Sequence, residues 1–113
     1  MKLQVLESSD TLTHVALEGS LDIAGVQAIE AAFLAQTAGR KKPVLIDLAG
    51  VSYMASFGMR MIIDTFKVLD REGRKMALLH PQPMVAKILE SAGMSEIVLI
   101  THDEAEARKV LES

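Results

Sequence analysis

The stretch Pro43-Val44-Leu45-Ile46-Asp47-Leu48 decides the fold. It is a continuous apolar run with a single acid, not an alternation of apolar and polar residues. That pattern belongs to a strand covered on both faces, at the centre of a sheet flanked by helices. The solvated basic turn Arg40-Lys41-Lys42 precedes it. After it, Tyr53-Met54-Ala55-Ser56-Phe57-Gly58 reads as a short loop that leads into a strongly amphipathic helix.

Upstream, residues 2–7 and 12–18 read as two strands joined by a turn at Ser8-Ser9-Asp10. Thr13, Val15 and Leu17 alternate with His14, Ala16 and Glu18, the period of a half-buried strand. Gly19-Ser20 ends the second strand. Asp22 then caps a helix to about Ala38, with Val26, Ile29, Phe33 and Leu34 on its apolar face and Gly39 as its stop. Downstream, a helix over 57–72 ends at Gly73, and Lys75 to His80 is a strand. Pro81-Gln82-Pro83 breaks the chain and starts a helix from about Met84 to Ala92, stopped by Gly93. Ile97 to Ile100 is a short strand. Residues 103–111 form a last helix, with acids at its start and Arg108 and Lys109 near its end, as the helix dipole favours.

The order is β-β-α-β-α-β-α-β-α. The predicted fold is a single α/β domain over residues 1–113. A mixed sheet, antiparallel in its N-terminal hairpin and parallel in the β-α units that follow, packs with about four helices. Crossovers are right-handed, and sites form at the carboxyl ends of the parallel strands. The Ser56 segment lies at such an end.

Composition narrows the function. A hydrophobic share of 50% over 113 residues supports a core, and 24% charged residues are ordinary for a soluble domain. The net charge of −3 and an aromatic content of only 4% argue against nucleic-acid binding. The absence of cysteine removes disulfide and thiolate chemistry and fits the cytoplasm. Met1-Lys2-Leu3-Gln4-Val5 does not resemble a signal peptide, and no segment approaches a membrane span.

Catalysis has little support. His14, His80 and His102 are far apart in sequence, lack metal-ligand spacing and read as surface or strand-end residues. Ala55-Ser56-Phe57-Gly58 lacks the first glycine of a nucleophile elbow. Phosphate-binding glycine loops are absent, and no cofactor is expected. Asp103-Glu104 reads as a solvated acidic helix start.

On a helical wheel of residues 57–72, Met59, Ile62, Ile63, Phe66 and Leu69 gather on one side as the core face. Phe57, Met61 and Val68 gather opposite, with Asp64 among them, and Arg60, Lys67 and Arg71 form a basic edge. A second apolar stripe rimmed by charge and starting beside Ser56 reads as a protein-binding surface, unless the C-terminal segment covers it. Methionine suits such a surface because it adapts to a partner's shape. Ser56 itself has two compatible readings: a plain N-cap worth about 1 kcal/mol, or a hydroxyl placed where a helix start favours negative charge. Asp22 likewise reads as an N-cap or as part of a binding surface, and Asp47 as a strand-end acid bonded to nearby backbone.

Three stretches together resemble the STAS domain of the bacterial anti-sigma factor antagonists. Leu17-Glu18-Gly19-Ser20-Leu21-Asp22 is similar to that family's strand end before the first helix. Val44-Leu45-Ile46-Asp47-Leu48-Ala49-Gly50-Val51 is similar to its central strand and turn. Met54-Ala55-Ser56-Phe57-Gly58 falls on a segment that commonly reads Asp-Ser-Ser-Gly or Asp-Ser-Thr-Gly. The resemblance runs over essentially the whole chain.

It implies a regulatory, non-catalytic protein in a partner-switching pathway. The unphosphorylated form would bind an anti-sigma factor that is also a serine kinase, a GHKL-type ATPase, and so release its target. Phosphorylation at Ser56 would abolish binding, and a PP2C-type phosphatase would reverse it. Ser56, Gly58 and Asp22 match family positions, and with the stripe and rim of the helical wheel the expected partner surface comprises Asp22, Ser56, Phe57, Gly58, Arg60, Met61, Asp64 and Val68. Ala55 stands where the family has Asp, and Phe57 where it has a second hydroxyl. STAS domains also serve as accessory subunits of ABC-type lipid transport systems, which is the alternative reading.

Overall fold

The computed structural model describes residues 1–113. Its strands are β1 (Lys2–Ser8), β2 (Thr13–Leu21), β3 (Val44–Met54), β4 (Met76–Leu79) and β5 (Leu99–Thr101). Its α-helices are α1 (Ile23–Gln36), α2 (Ser56–Arg71), α3 (Pro83–Ser91) and α4 (Glu104–Leu111). Short 3₁₀ turns occupy Ala38–Arg40 and Met94–Glu96. The five strands lie in sequence order. β1 pairs antiparallel with β2, and every later pair is parallel, as the order of elements predicts.

β3 is central and buried from both sides. Val44, Ile46 and Leu48 join the larger core with Val26, Ile29 and Phe33 of α1, Met59, Met61, Ile62 and Leu69 of α2, and Val85 and Leu89 of α3. Leu45 points the other way, into a smaller cluster with Leu12, Ala77, Leu79, Ala107 and Leu111. Three helices therefore cover one face of the sheet, and α4 covers part of the other. The apolar run that seeds β3 is continuous because both of its faces need apolar side chains.

Two strands outrun the sequence-based boundaries. β2 passes through Gly19-Ser20 and reaches Leu21, and β3 runs on to Met54, so Tyr53 and Met54 belong to a strand and not to a loop. The register shifts between Ala16 and Glu18 and again between Gly19 and Ser20, then resumes with Ser20 opposite Tyr53 and Leu21 opposite Met54. Gly19 has a φ of +116°, a conformation glycine adopts readily. A glycine that marks a bulge looks, in sequence, like one that ends a strand.

Other differences are local. α1 stops at Gln36, where the Thr37 hydroxyl donates to the Phe33 carbonyl at 2.7 Å, ahead of the stop expected at Gly39. Arg40 is not merely solvated: its guanidinium donates to the Ser9 carbonyl at 2.6 Å and to the Thr13 hydroxyl, fixing the β1–β2 turn. The last strand begins at Leu99 because Met94–Glu96 closes a turn that buries Met94 completely.

His14, expected near the surface, is buried on the α4 side of the sheet, and its Nε2 has no hydrogen-bond partner. Opposite it in the β1–β2 register is Glu7, which Arg108 of α4 bridges at 3.0 Å. Burial holds the His14 pKa below the ordinary imidazole value. Among the surrounding charges, Arg108 pushes the same way, while Glu104, Asp47 and Glu7 oppose it.

This fixes the sign of a pH effect. The unfolded chain protonates His14 near pH ~6.5, and the folded chain only at lower pH, so between those values the unfolded state holds more protons. His14's contribution to stability is complete above pH ~6.5 and declines as the pH falls through the folded-state pKa. Urea denaturation midpoints measured from about pH 7 to about pH 5 should fall for the parent protein and fall less for His14→Leu.

Candidate functional site

The carboxyl ends of β2 and β3 set the site. Leu21 and Met54 are paired, and the Ala55 amide donates to the Leu21 carbonyl at 2.9 Å. The chain then turns directly into α2. Ala55, in extended conformation, is the N-cap, and no side chain caps the helix. Ser56 is the first helical residue and is exposed. It is therefore not the N-cap that one reading of the sequence expected. Its hydroxyl is engaged by no other group of the protein, at a helix end whose first-turn amides lack a side-chain acceptor.

Gly58 follows at a close approach. A Cβ there would stand 2.7 Å from the Leu21 Cβ and 2.9 Å from the Leu21 carbonyl oxygen. Hydrogen at this position lets α2 lie against the end of β2. Gly58 is consequently buried, and it shapes the site without being part of its surface.

Asp22 is the N-cap of α1, its carboxylate accepting from the Gly25 amide at 2.8 Å. That hydrogen bond holds its pKa below the usual carboxylate range. The carboxylate is thus already committed to its own helix, the capping reading of the sequence.

α2 is turned relative to the sequence-based wheel. Its buried face is Gly58, Met59, Met61, Ile62, Thr65 and Leu69. Met61 is only 2% exposed, so the stripe expected from Phe57 through Met61 to Val68 does not form. Val68 is partly buried, and Ile63 and Phe66, expected in the core, are only partly covered. The reason is Thr65. Its hydroxyl donates to the Met61 carbonyl at 2.9 Å, which satisfies it locally and lets it be fully buried. A hydrophobicity wheel counts that threonine as outward-facing.

What remains exposed on α2 beside Ser56 is Phe57, Arg60 and Asp64. Phe57, 48% exposed, forms a ridge between two grooves. The larger, about 740 Å³, lies between α2 and α3, with Met59, Ile63 and Ile88 among its walls and Ser56 and Arg60 at its edge. The smaller, about 370 Å³, lies between α1 and α2 against Ile23 and Val26. α4 covers neither, because it packs on the opposite face of the sheet.

Ile23, Tyr53 and Met84 were not identified from the sequence. They are 51%, 47% and 57% exposed. Ile23 opens α1, Tyr53 lies near the end of β3 and Met84 lies in the first turn of α3. With Phe57 they place large apolar side chains at the carboxyl end of the parallel strands, the end that carries Ser56. A partial signal was available: Ile23 directly follows the Asp22 cap and Tyr53 directly precedes the last residue of β3, while Met84 is the second residue of α3.

His80 and His102 directly follow strand ends, as expected, but they are not far apart in space. Their rings are 5.7 Å apart, because β4 and β5 are neighbours and end together, with the His80 amide donating to the Thr101 carbonyl at 2.9 Å. No group of three His, Cys, Asp or Glu side chains is placed to hold a metal ion. No helix is long and apolar enough to cross a membrane.

An antiparallel hairpin continued by parallel β-α units, with an exposed serine opening the second helix, defines a class of small mixed-sheet α/β domain. The STAS domain family matches residues 3–107, and the chain belongs to that family. The anti-sigma-B factor antagonist of Staphylococcus epidermidis is 24% identical over 94 residues, covering 79% of this chain and 87% of the relative.

Among solved structures, an anti-sigma factor antagonist from Mycobacterium paratuberculosis superposes with a TM-score of 0.83. It shares 20% identity and covers 99% of this chain and 96% of its own. The Bacillus cell fate determinant SpoIIAA in its phosphorylated form superposes with a TM-score of 0.72 at 19% identity, covering 96% and 99%. At these identities the structural likeness establishes the fold.

The two kinds of α2 residue separate experimentally. Gly58→Ala should destabilise the protein by about 2 kcal/mol through overpacking against Leu21, despite alanine's better helix propensity. Met61→Ala should cost about 3 kcal/mol as a core truncation, whereas Phe57→Ala should stay within about 0.5 kcal/mol of the parent. Chemical denaturation checks all three, and a Phe57→Ala cost near that of Met61→Ala would contradict the assignment of Phe57 to the surface.

Proposed function

We propose that this protein is an anti-sigma factor antagonist in a partner-switching pathway. The unphosphorylated protein binds an anti-sigma factor that is also a GHKL-type serine kinase, and that binding frees the kinase's other target. The kinase then phosphorylates Ser56: the Ser56 oxygen attacks the γ-phosphorus of ATP, ADP leaves, and the hydroxyl proton passes to a base on the kinase. Phosphorylated protein no longer binds, and a PP2C-type phosphatase hydrolyses the ester to restore the active form. The protein supplies a substrate hydroxyl and a docking surface, and the catalytic groups belong to its partners.

The observation that carries this reading is the exposed, unengaged Ser56 hydroxyl on the first turn of α2, next to the Phe57 ridge. With Ala55 before it and Phe57 after it, Ser56 is the only hydroxyl among residues 53–58 apart from the Tyr53 phenol. The name of the staphylococcal relative supports the functional class.

The physical logic of the switch is asymmetric. Phosphorylation adds roughly −1.5 to −2 charges and three acceptor oxygens. At the start of a helix that charge is favourable to its own protein. Pressed against a partner it must be desolvated, and a penalty of about 3 kcal/mol weakens binding by more than a hundredfold. The change needs no movement of the fold.

Incubation with the cognate anti-sigma kinase and ATP, followed by mass spectrometry, should place one phosphate on Ser56 and none on Ser56→Ala. Calorimetric titration should give Ser56→Asp at least a hundredfold weaker kinase binding than the parent, with a melting temperature no lower than the parent's. Equal affinity of the phosphorylated and unphosphorylated forms would falsify the switch.

A further inference from the structure

A geometry for holding an acid at a helix start occurs elsewhere in this chain. Glu104 is the first residue of α4, and Arg108, one turn later, bridges it with Nε to Oε2 at 2.9 Å. Ser56 is the first residue of α2, and Arg60 stands at the same offset one turn later. Both Ser56 and Arg60 are exposed and line the edge of the groove between α2 and α3. Residues four apart on a helix face one another, and an acid N-terminal to its base is the favoured orientation.

Arg60 is also free. The ion pairs of the fold are Lys41 with Glu72 and Arg108 with Glu7 and Glu104, and none includes Arg60. Asp64, one turn further along, is the other acid within helical reach, and it does not bridge Arg60. A phosphoserine side chain is about as long as glutamate, carries up to twice its charge and presents three oxygens, which suit the bidentate fork of a guanidinium. Unmodified Ser56 offers Arg60 no charge to pair with.

We infer that Arg60 is the internal counter-ion of phosphorylated Ser56, forming on α2 the pair that Glu104 and Arg108 form on α4. This rests on the proposal that Ser56 is phosphorylated. It assigns Arg60 a positioning role: the guanidinium draws the phosphate along the outer edge of α2, and the same contact withdraws a free cation from the docking surface around Phe57. Modification then changes the surface twice, by adding an anion and by occupying the arginine beside it.

The test uses full-length protein with phosphoserine installed at position 56 during translation, so that it needs no kinase. Phosphorus NMR follows the second ionisation of the phosphate, ordinarily near pH ~6, in the parent, Arg60→Gln and Arg60→Lys proteins. The helix dipole is common to all three, so it cancels in the comparison. The midpoint should lie lowest in the parent, highest in Arg60→Gln and between them in Arg60→Lys.

A second measurement uses Ser56→Glu, which reproduces the Glu104–Arg108 pair in its simplest form. Its denaturation midpoint should drop on adding Arg60→Gln by more than that substitution lowers the midpoint of the Ser56 protein. Coincident phosphate midpoints in the parent and Arg60→Gln proteins would overturn the pair and leave the phosphorylation switch intact. A kinase that leaves Ser56 unmodified would instead defeat the switch, with no bearing on the titration.

Discussion

The junction of β2 with β3 at their carboxyl ends governs this structure. Leu21 pairs with Met54, its carbonyl receives the Ala55 amide at 2.9 Å, and its side chain lies where a Cβ on residue 58 would have to be. These contacts fix the residue at which β3 stops and α2 begins, and they press the first turn of α2 onto the sheet. Because Gly58 faces inward, Ser56 and Phe57 face outward. Shifting the helix start by one residue would rotate the first turn by about 100° and take the hydroxyl off the surface. The exposure of Ser56 is thus a consequence of packing beneath it, maintained by the buried residues Leu21 and Gly58.

Much of this was legible in the sequence, and the exceptions share a cause. The unbroken apolar run at Val44 to Leu48, the α1 stripe of Val26, Ile29 and Phe33, and the helix stops at Gly73 and Gly93 are local signals, and they mark elements found close to where the pattern puts them. The failures need information from another part of the chain. Gly19 reads as a strand end until β3 is placed beside it to continue the ladder. Met61 reads as exposed until α1 covers it and Thr65 joins it in the core through a hydrogen bond to its own helix. His14 reads as the polar half of an alternating strand until α4 lies over it. Arg40 reads as solvated until the β1–β2 turn supplies the Ser9 carbonyl. The candidate site follows the same division: the serine was visible locally, but the exposed apolar residues Ile23, Tyr53 and Met84 are placed at the same end of the sheet only by the topology.

Two of the helix starts at this end of the sheet, those of α1 and α2, are built differently. α1 carries its own anion, Asp22, which caps the Gly25 amide. α2 begins at Ala55, which caps nothing. An alanine at the N-cap leaves about 1 kcal/mol of available capping energy unused, and a first turn without an acceptor keeps its amides directed at solvent. Such an end is more receptive to an added anion than one already neutralised by an aspartate. Under the proposed phosphorylation, Ala55, which departs from the acid common at this place in the family, would make the unmodified and modified states of α2 differ more in local charge balance.

Phe57 adds the complementary half of that argument. A second hydroxyl there would divide the modification between two positions and leave the surface polar in both states. A half-exposed phenyl ring instead forms a ridge between two apolar-walled grooves, a surface that favours burial by a partner when it is uncharged. Adjacent residues on the same turn thus impose opposing demands. The ring favours a dry contact, and a phosphate beside it requires a wet one. Under the proposed switch, the closer Ser56 lies to the ring, the less a partner could satisfy one demand without violating the other, on a first turn packed closely against Leu21. Under that proposal, discrimination between the two states would rest on desolvation at a single position.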